Sequence, residues 1–131
     1  MRSHKHSPSS YARILFRYLG LSEENSQTYF DGTNLSYEEL MTLDGTIPRD
    51  DMLIVYRNAL AIYGRKDLGL SVGTQLNLPT HGPLGVAAFS GPDLRTALTL
   101  LAKYGQTRVE FFNTSVSENA AGLKISFAET F

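Results

Sequence analysis

The sequence predicts an α+β fold, with several N-terminal helices, a central amphipathic helix and a C-terminal antiparallel β-hairpin. Three observations carry this reading. Apolar residues recur at helical spacing through the first hundred positions, in segments closed by glycines. The clearest case is Leu94 to Tyr104, where Leu94, Ala97, Leu98, Leu101 and Tyr104 form one stripe and Arg95, Thr96, Thr99 and Lys103 take the other face. Beyond Tyr104 the period becomes two. Val109 and Phe111 alternate with Arg108, Glu110 and Phe112; after a loose turn at Asn119 to Gly122, Leu123, Ile125 and Phe127 alternate with Lys124, Ser126 and Ala128.

Taken in order, residues 1 to 8 are polar and read as a disordered tail. His4 and His6 stand two apart, but no further ligand type lies nearby to complete a site, so no metal is expected. Residues 9 to 131 read as one domain. Ser9 or Ser10 caps a first helix to about Leu19, with Tyr11, Ile14, Leu15 and Tyr18 on its apolar face and Arg13 and Arg17 opposite; Gly20 ends it. Residues 22 to 35 are polar, carry Gly32, and read as a loop or partly ordered turn. Ser36 and Glu39 form a capping box for a short helix, and Asp44-Gly45 is a turn signal.

Pro48 opens a longer helix to about Tyr63, with Asp50 and Asp51 at its positive end and Met52, Tyr56, Ala59, Leu60 and Tyr63 on one face. Gly64 closes it. Asp67 caps a further helix from Leu68 to about Gly73, and residues 74 to 82 are a loop. The short apolar run from Leu84 to Phe89 suits either a helix or a buried strand. Ser90 and Asp93 stand at capping-box spacing before the central helix, Pro92 suits its first turn, and Gly105 stops it. Leu98 and Leu101 are expected to be core.

The length of 131 residues fits one domain with a real core. Twelve Lys and Arg against 13 Asp and Glu leave a net charge of −1 without a basic block, which argues against DNA binding by this chain itself. With no cysteine, there is no disulfide, thiolate nucleophile or cysteine-ligated zinc. No segment is long and apolar enough to span a membrane, and Arg13 and Arg17 interrupt any signal-peptide apolar region. A cytoplasmic protein is expected.

The order Asp67-Leu68-Gly69-Leu70, then Gly73, then Gly82-Pro83-Leu84-Gly85-Val86-Ala87, then Leu94 to Tyr104 resembles the N-terminal effector-sensing domain of AraC-type transcriptional regulators, within the arabinose-binding-like group. The resemblance covers roughly residues 10 to 131. It implies a short helix at Pro83 to Phe89. It also implies a sensor module that binds a small molecule, dimerises, or both, and that acts on a C-terminal DNA-binding domain with two helix-turn-helix motifs. That second domain is expected to be absent from this chain, and the sensor domain to be truncated, so DNA would be met only through the missing part.

Candidate effector contacts follow from the resemblance. Sensor pockets are largely apolar with a few polar groups, and His81, Tyr104, Arg108 and Phe112 lie in the helix-to-hairpin region where such a pocket is expected. Each has a plainer reading: His81 as a loop histidine bonded to backbone, Arg108 as an exposed strand residue, and Tyr104 and Phe112 as core aromatics. A catalytic role for His81 would need an orienting carboxylate and a nucleophile; Ser90 and Asp93 are nearest in sequence but are explained as helix-start residues. Glu23-Glu24, Glu38-Glu39 and Asp50-Asp51 likewise sit at helix starts. Gly82 to Gly91 lacks the Lys-Ser/Thr ending of a phosphate loop.

The expected function is therefore effector sensing, dimerisation, or both, within an AraC-type regulator, as a cytoplasmic homodimer without cofactor, metal or enzymatic activity. The effector is unspecified. A stand-alone, ligand-free dimerisation module is the main rival; a small cofactor-free enzyme is the third reading.

Overall fold

The computed structural model describes residues 6–42, 45–105 and 112–129, with the side chains of Leu78, Pro79 and Phe112 left aside. They fall into two compact units, Met1–Leu76 and Asn77–Phe131. The α+β class is as expected, with helices first and an antiparallel hairpin last.

In the first unit, strand β1 (His6–Pro8) pairs antiparallel with β2 (Thr46–Pro48), Ser7 opposite Ile47. Residues 6 to 8, expected in a disordered tail, are thus an ordered strand, and Ser7 and Ile47 are both buried. Helix α1 (Ser9–Tyr18) follows directly. Its cap position is held by Pro8 and makes no side-chain cap bond, contrary to the expected serine cap; the Ser9 N–H instead donates to the Gly45 carbonyl at 2.9 Å. The far end closes as a Schellman motif: the Leu21 N–H reaches the Phe16 carbonyl, the Gly20 N–H reaches Arg17, and Gly20 adopts φ 68°.

The buried face of α1 is Ala12, Leu15 and Phe16 with Ser9, one position round from the stripe expected. Arg13 is correspondingly not on a solvated face. Its Nε donates to the Leu40 carbonyl at 3.0 Å, in the last turn of α3 (Tyr37–Thr42), where carbonyls lack helical partners.

The stretch expected to be a loop or partly ordered turn holds a 3-10 turn (Glu23–Asn25) and helix α2 (Gln27–Phe30). Tyr29 and Phe30 from α2 are buried, each ring about 5 to 6 Å from that of Phe16. The Tyr29 hydroxyl donates to the Ala12 carbonyl at 2.6 Å. Helix α4 (Arg49–Tyr63) closes over this cluster with Met52, Val55 and Ala59. Asn58 donates to the carbonyls of Tyr29 and Asp31 at 3.0 and 2.9 Å, satisfying the end of α2. Gly64, at φ 78°, ends α4 as expected. Helix α5 (Leu68–Gly73) follows; Asp67 stands at its cap position without a side-chain cap bond and pairs instead with Arg65 at 3.3 Å.

In the second unit a 3-10 turn (Leu78–His81) leads into α6 (Gly82–Phe89), the helix that the resemblance implied. Helix α7 (Leu94–Tyr104) starts at Asp93, whose Oδ1 accepts the Thr96 N–H at 2.7 Å. Asp93 alone is the cap; Ser90 is not its box partner, and its hydroxyl donates back to the Val86 carbonyl at 2.9 Å. Strand β3 (Phe112–Asn119) pairs with β4 (Gly122–Glu129), Val116 opposite Ile125 and Thr114 opposite Phe127. The Asn119 side chain accepts the Ala121 N–H in the turn. Arg95 of α7 pairs with Glu118 of β3.

The α7 stripe is not enclosed. Leu98 and Leu101 are half-buried, while Leu94 is 68% and Phe127 72% exposed. Two strands and one neighbouring helix offer too little surface to cover both a helix stripe and a sheet face. Val109 and Phe111, the start of the expected alternation, lie outside the described residues.

Candidate functional site

A cavity of about 360 Å³ opens in the first unit. Tyr11 and Leu15 come from α1, and Tyr56 and Leu60 from α4, each pair four residues apart and so on one helix face. Leu68, Gly69 and Val72 come from α5, and Leu76 closes the wall beyond it. The volume lies within the range of small-molecule sites.

Among the described residues the lining is aliphatic apart from two phenols, with no carboxylate, amine, guanidinium or imidazole. Burial, and secondarily the neighbouring Tyr11, pushes the Tyr56 phenol up to about 12. It is therefore protonated and able to donate a hydrogen bond at any physiological pH. Apolar walls with a few hydrogen-bonding groups suit the binding of a ligand rather than the movement of protons or charge.

Of the four residues proposed from sequence, His81 and Tyr104 have described side chains, both in the second unit. His81 ends the 3-10 turn before α6, and Tyr104 ends α7, where Lys103 lies 5.3 Å from its ring centroid. Phe112 opens β3, its side chain not described, and Arg108 lies outside the described residues. Neither His81 nor Tyr104 is among the described residues that line the cavity. Ser90 and Asp93 are each bonded as helix-end residues. Among the described residues there is no group of three or more His, Asp or Glu side chains that could hold a metal.

Sequence reasoning placed Leu15, Tyr56 and Leu60 on apolar faces but did not find the gap between those faces. The available signal was the repeated pairing of tyrosine with leucine four residues on, in α1 and again in α4.

A family profile described as the arabinose-binding domain of AraC transcription regulators, N-terminal, matches residues 25–130. The chain belongs to this family. It is also 31% identical over 97 residues to an ornithine utilization regulator of Pseudomonas aeruginosa, a match covering 74% of this chain and 29% of that regulator. This AraC-type N-terminal domain thus corresponds to less than a third of that relative's length. Both similarities are to regulatory proteins. Among the described residues of the domain, no helix is long and apolar enough to cross a membrane.

Proposed function

We propose that this domain senses a small-molecule effector within an AraC-type transcription regulator and controls a DNA-binding domain carried by another part of that regulator, in the cytoplasm. The observation that carries the reading is the cavity between α1, α4 and α5, which has the size and apolar lining of a ligand site in a chain of regulatory family. A thermal-shift screen of metabolites tests it. A ligand that binds only the folded state raises the melting temperature in proportion to the logarithm of its excess over Kd, and a hundredfold excess adds about 2.7 kcal/mol. The rise should disappear in Gly69→Leu, which adds bulk at the cavity wall where a new Cβ meets nothing within 4 Å. If Gly69→Leu keeps the response and Tyr104→Ala loses it, the effector site is instead the one formed around His81, Tyr104, Arg108 and Phe112.

Dimerisation is the second part of the proposal. On the hairpin, Ile125 and Phe127 share one face and both are exposed, which favours self-association through apolar contact or strand pairing. Light scattering across a concentration series should show twice the monomer mass at high concentration. Phe127→Ser should return the monomer; a single monomeric mass throughout would refute dimerisation by this domain.

A further inference from the structure

A seam of tyrosines runs between α1 and α4. Tyr11 and Tyr56 lie close enough for one phenol to act on the other. Seven residues further along each helix, two turns on, Tyr18 and Tyr63 bring their ring centroids to 6.3 Å with planes at 52°. That separation lies within aromatic contact range. The two helices therefore run side by side in one direction. Tyr18 and Tyr63 are both half-buried, so a small solute reaches their rings.

The Tyr63 phenol differs from those of Tyr29 and Tyr56 in its surroundings. Its hydroxyl lies 3.2 Å from that of Ser71 and accepts from the Arg65 guanidinium, which also stands 4.8 Å over the ring. The Ser71 bond, then the Arg65 bond, hold this phenol below its usual value, whereas burial raises Tyr29 and Tyr56. A phenol that releases its proton more readily is also the easier to oxidise, because the phenolate gives up an electron more readily than the phenol. A radical formed at Tyr63 has the Tyr18 ring as a held neighbour rather than a partner met by diffusion.

We propose that Tyr18 and Tyr63 are an oxidative cross-linking site, at which a one-electron oxidant joins their rings as dityrosine and pins α1 to α4. Each phenol loses one electron to the oxidant and its hydroxyl proton to solvent. The two radicals join through ring carbons next to the oxygens, and the hydrogens on those carbons move to the oxygens, restoring both phenols. One carbon–carbon bond forms, and two electrons and two protons leave. Leu15 and Leu60 sit on the pinned helices, so the bond also fixes the spacing of that part of the cavity wall. The cross-link stands whether or not the cavity takes an effector.

Treating a dilute solution of the 131-residue chain at pH 7 with two equivalents of hexachloroiridate(IV) tests this. The monomer should lose the mass of two hydrogen atoms and gain dityrosine fluorescence. Trypsin should release residues 18–49 joined to residues 58–65, where Tyr63 is the sole tyrosine, and fragmentation should place the other end of the bond on Tyr18. Tyr18→Phe and Tyr63→Phe, with unchanged circular dichroism, should each lower the yield at least about tenfold, as should carrying out the reaction in denaturing urea, which removes the proximity. The cross-linked chain should unfold at higher urea than the untreated one, because the bond closes a long loop in the unfolded chain. Absence of dityrosine, cross-links between chains only, a bond to Tyr29 or Tyr37 instead of Tyr18, or equal yields in the folded and unfolded chain would overturn the site. A lowered urea midpoint would also overturn it, since the bond would then form only at the expense of the native packing.

Discussion

Replacing Tyr29 with alanine should lower the stability of the first unit by about 3–5 kcal/mol, the usual cost of deleting a large buried aromatic ring. Tyr29 is fully buried. Its ring meets those of Phe16 and Phe30 edge-on, both at 5.2 Å between centroids, and edge-on pairs add to the area term. Its hydroxyl ties α2 to the Ala12 carbonyl of α1, and its own carbonyl is held by Asn58 of α4. Three helices therefore lose a common centre. Tyr29→Phe keeps the ring and removes the hydroxyl, so its cost should be about 1 kcal/mol. Urea unfolding followed by far-ultraviolet circular dichroism measures both. An unshifted midpoint for Tyr29→Ala would show that the aromatic cluster does not hold the unit together.

Alkaline pH should act through the same region. Tyr29 and Tyr56 both titrate above the ordinary tyrosine value near 10, chiefly because burial penalises the phenolate. Tyr56 is also raised by Tyr11, and Tyr29 by Tyr56. Below pH 10 each phenol is protonated in the folded and the unfolded chain, so neither contributes pH dependence. Above pH 10 the unfolded chain releases these protons while the folded chain keeps them. Because the unfolded state then binds fewer protons, stability falls as pH rises, by up to about 1.4 kcal/mol per pH unit for each tyrosine. For Tyr56 the fall levels off near pH 12, its folded value; for Tyr29 it continues higher. Between pH 9 and 11 the two together should remove about 2–3 kcal/mol. Comparing this loss in the wild type and in Tyr29→Phe and Tyr56→Phe separates these groups from the lysines. Equal losses in all three proteins would mean that the phenols titrate alike in both states.

The same residues show what the sequence could and could not disclose. Helix boundaries were legible where a glycine had to take positive φ, as at Gly20 and Gly64, or where a short polar side chain could cap, as at Ser36 and Asp93. Strand β4 was legible from the alternation of Leu123, Ile125 and Phe127 with Lys124, Ser126 and Ala128, while the alternation read for its partner, at Val109 and Phe111, lies outside the described residues. Tyr29 and Phe30 were not, because a four-residue helix is too short to express a period, and their neighbours are polar. Strand β1 had no local signal at all, since its partner lies about forty residues away.

The α7 stripe was read as core because periodicity identifies which face is apolar, not how much surface is available to cover it. The cavity was illegible for a related reason. Tyr56 and Leu60 look the same in sequence whether the space beside them is filled or empty. The expected contacts His81, Tyr104, Arg108 and Phe112 were read from their place around the central helix and the hairpin, whereas the wall of the described cavity draws on α1, α4 and α5, whose faces the sequence marks only as apolar.

The β1–β2 ladder has a consequence for the order in which the first unit assembles. It joins residues about forty positions apart, so closing it costs chain entropy before any contact is gained. Three residue pairs return little, and Pro8 and Pro48 remove two of the amide donors. The ladder should thus form after α1, α2 and α4 have met, and should open before they part. Amide exchange at Ser7 and Ile47 should then run ahead of exchange at Leu15 and Phe16, with α1 and its aromatic cluster as the slow nucleus and the N-terminal strand as a late clasp.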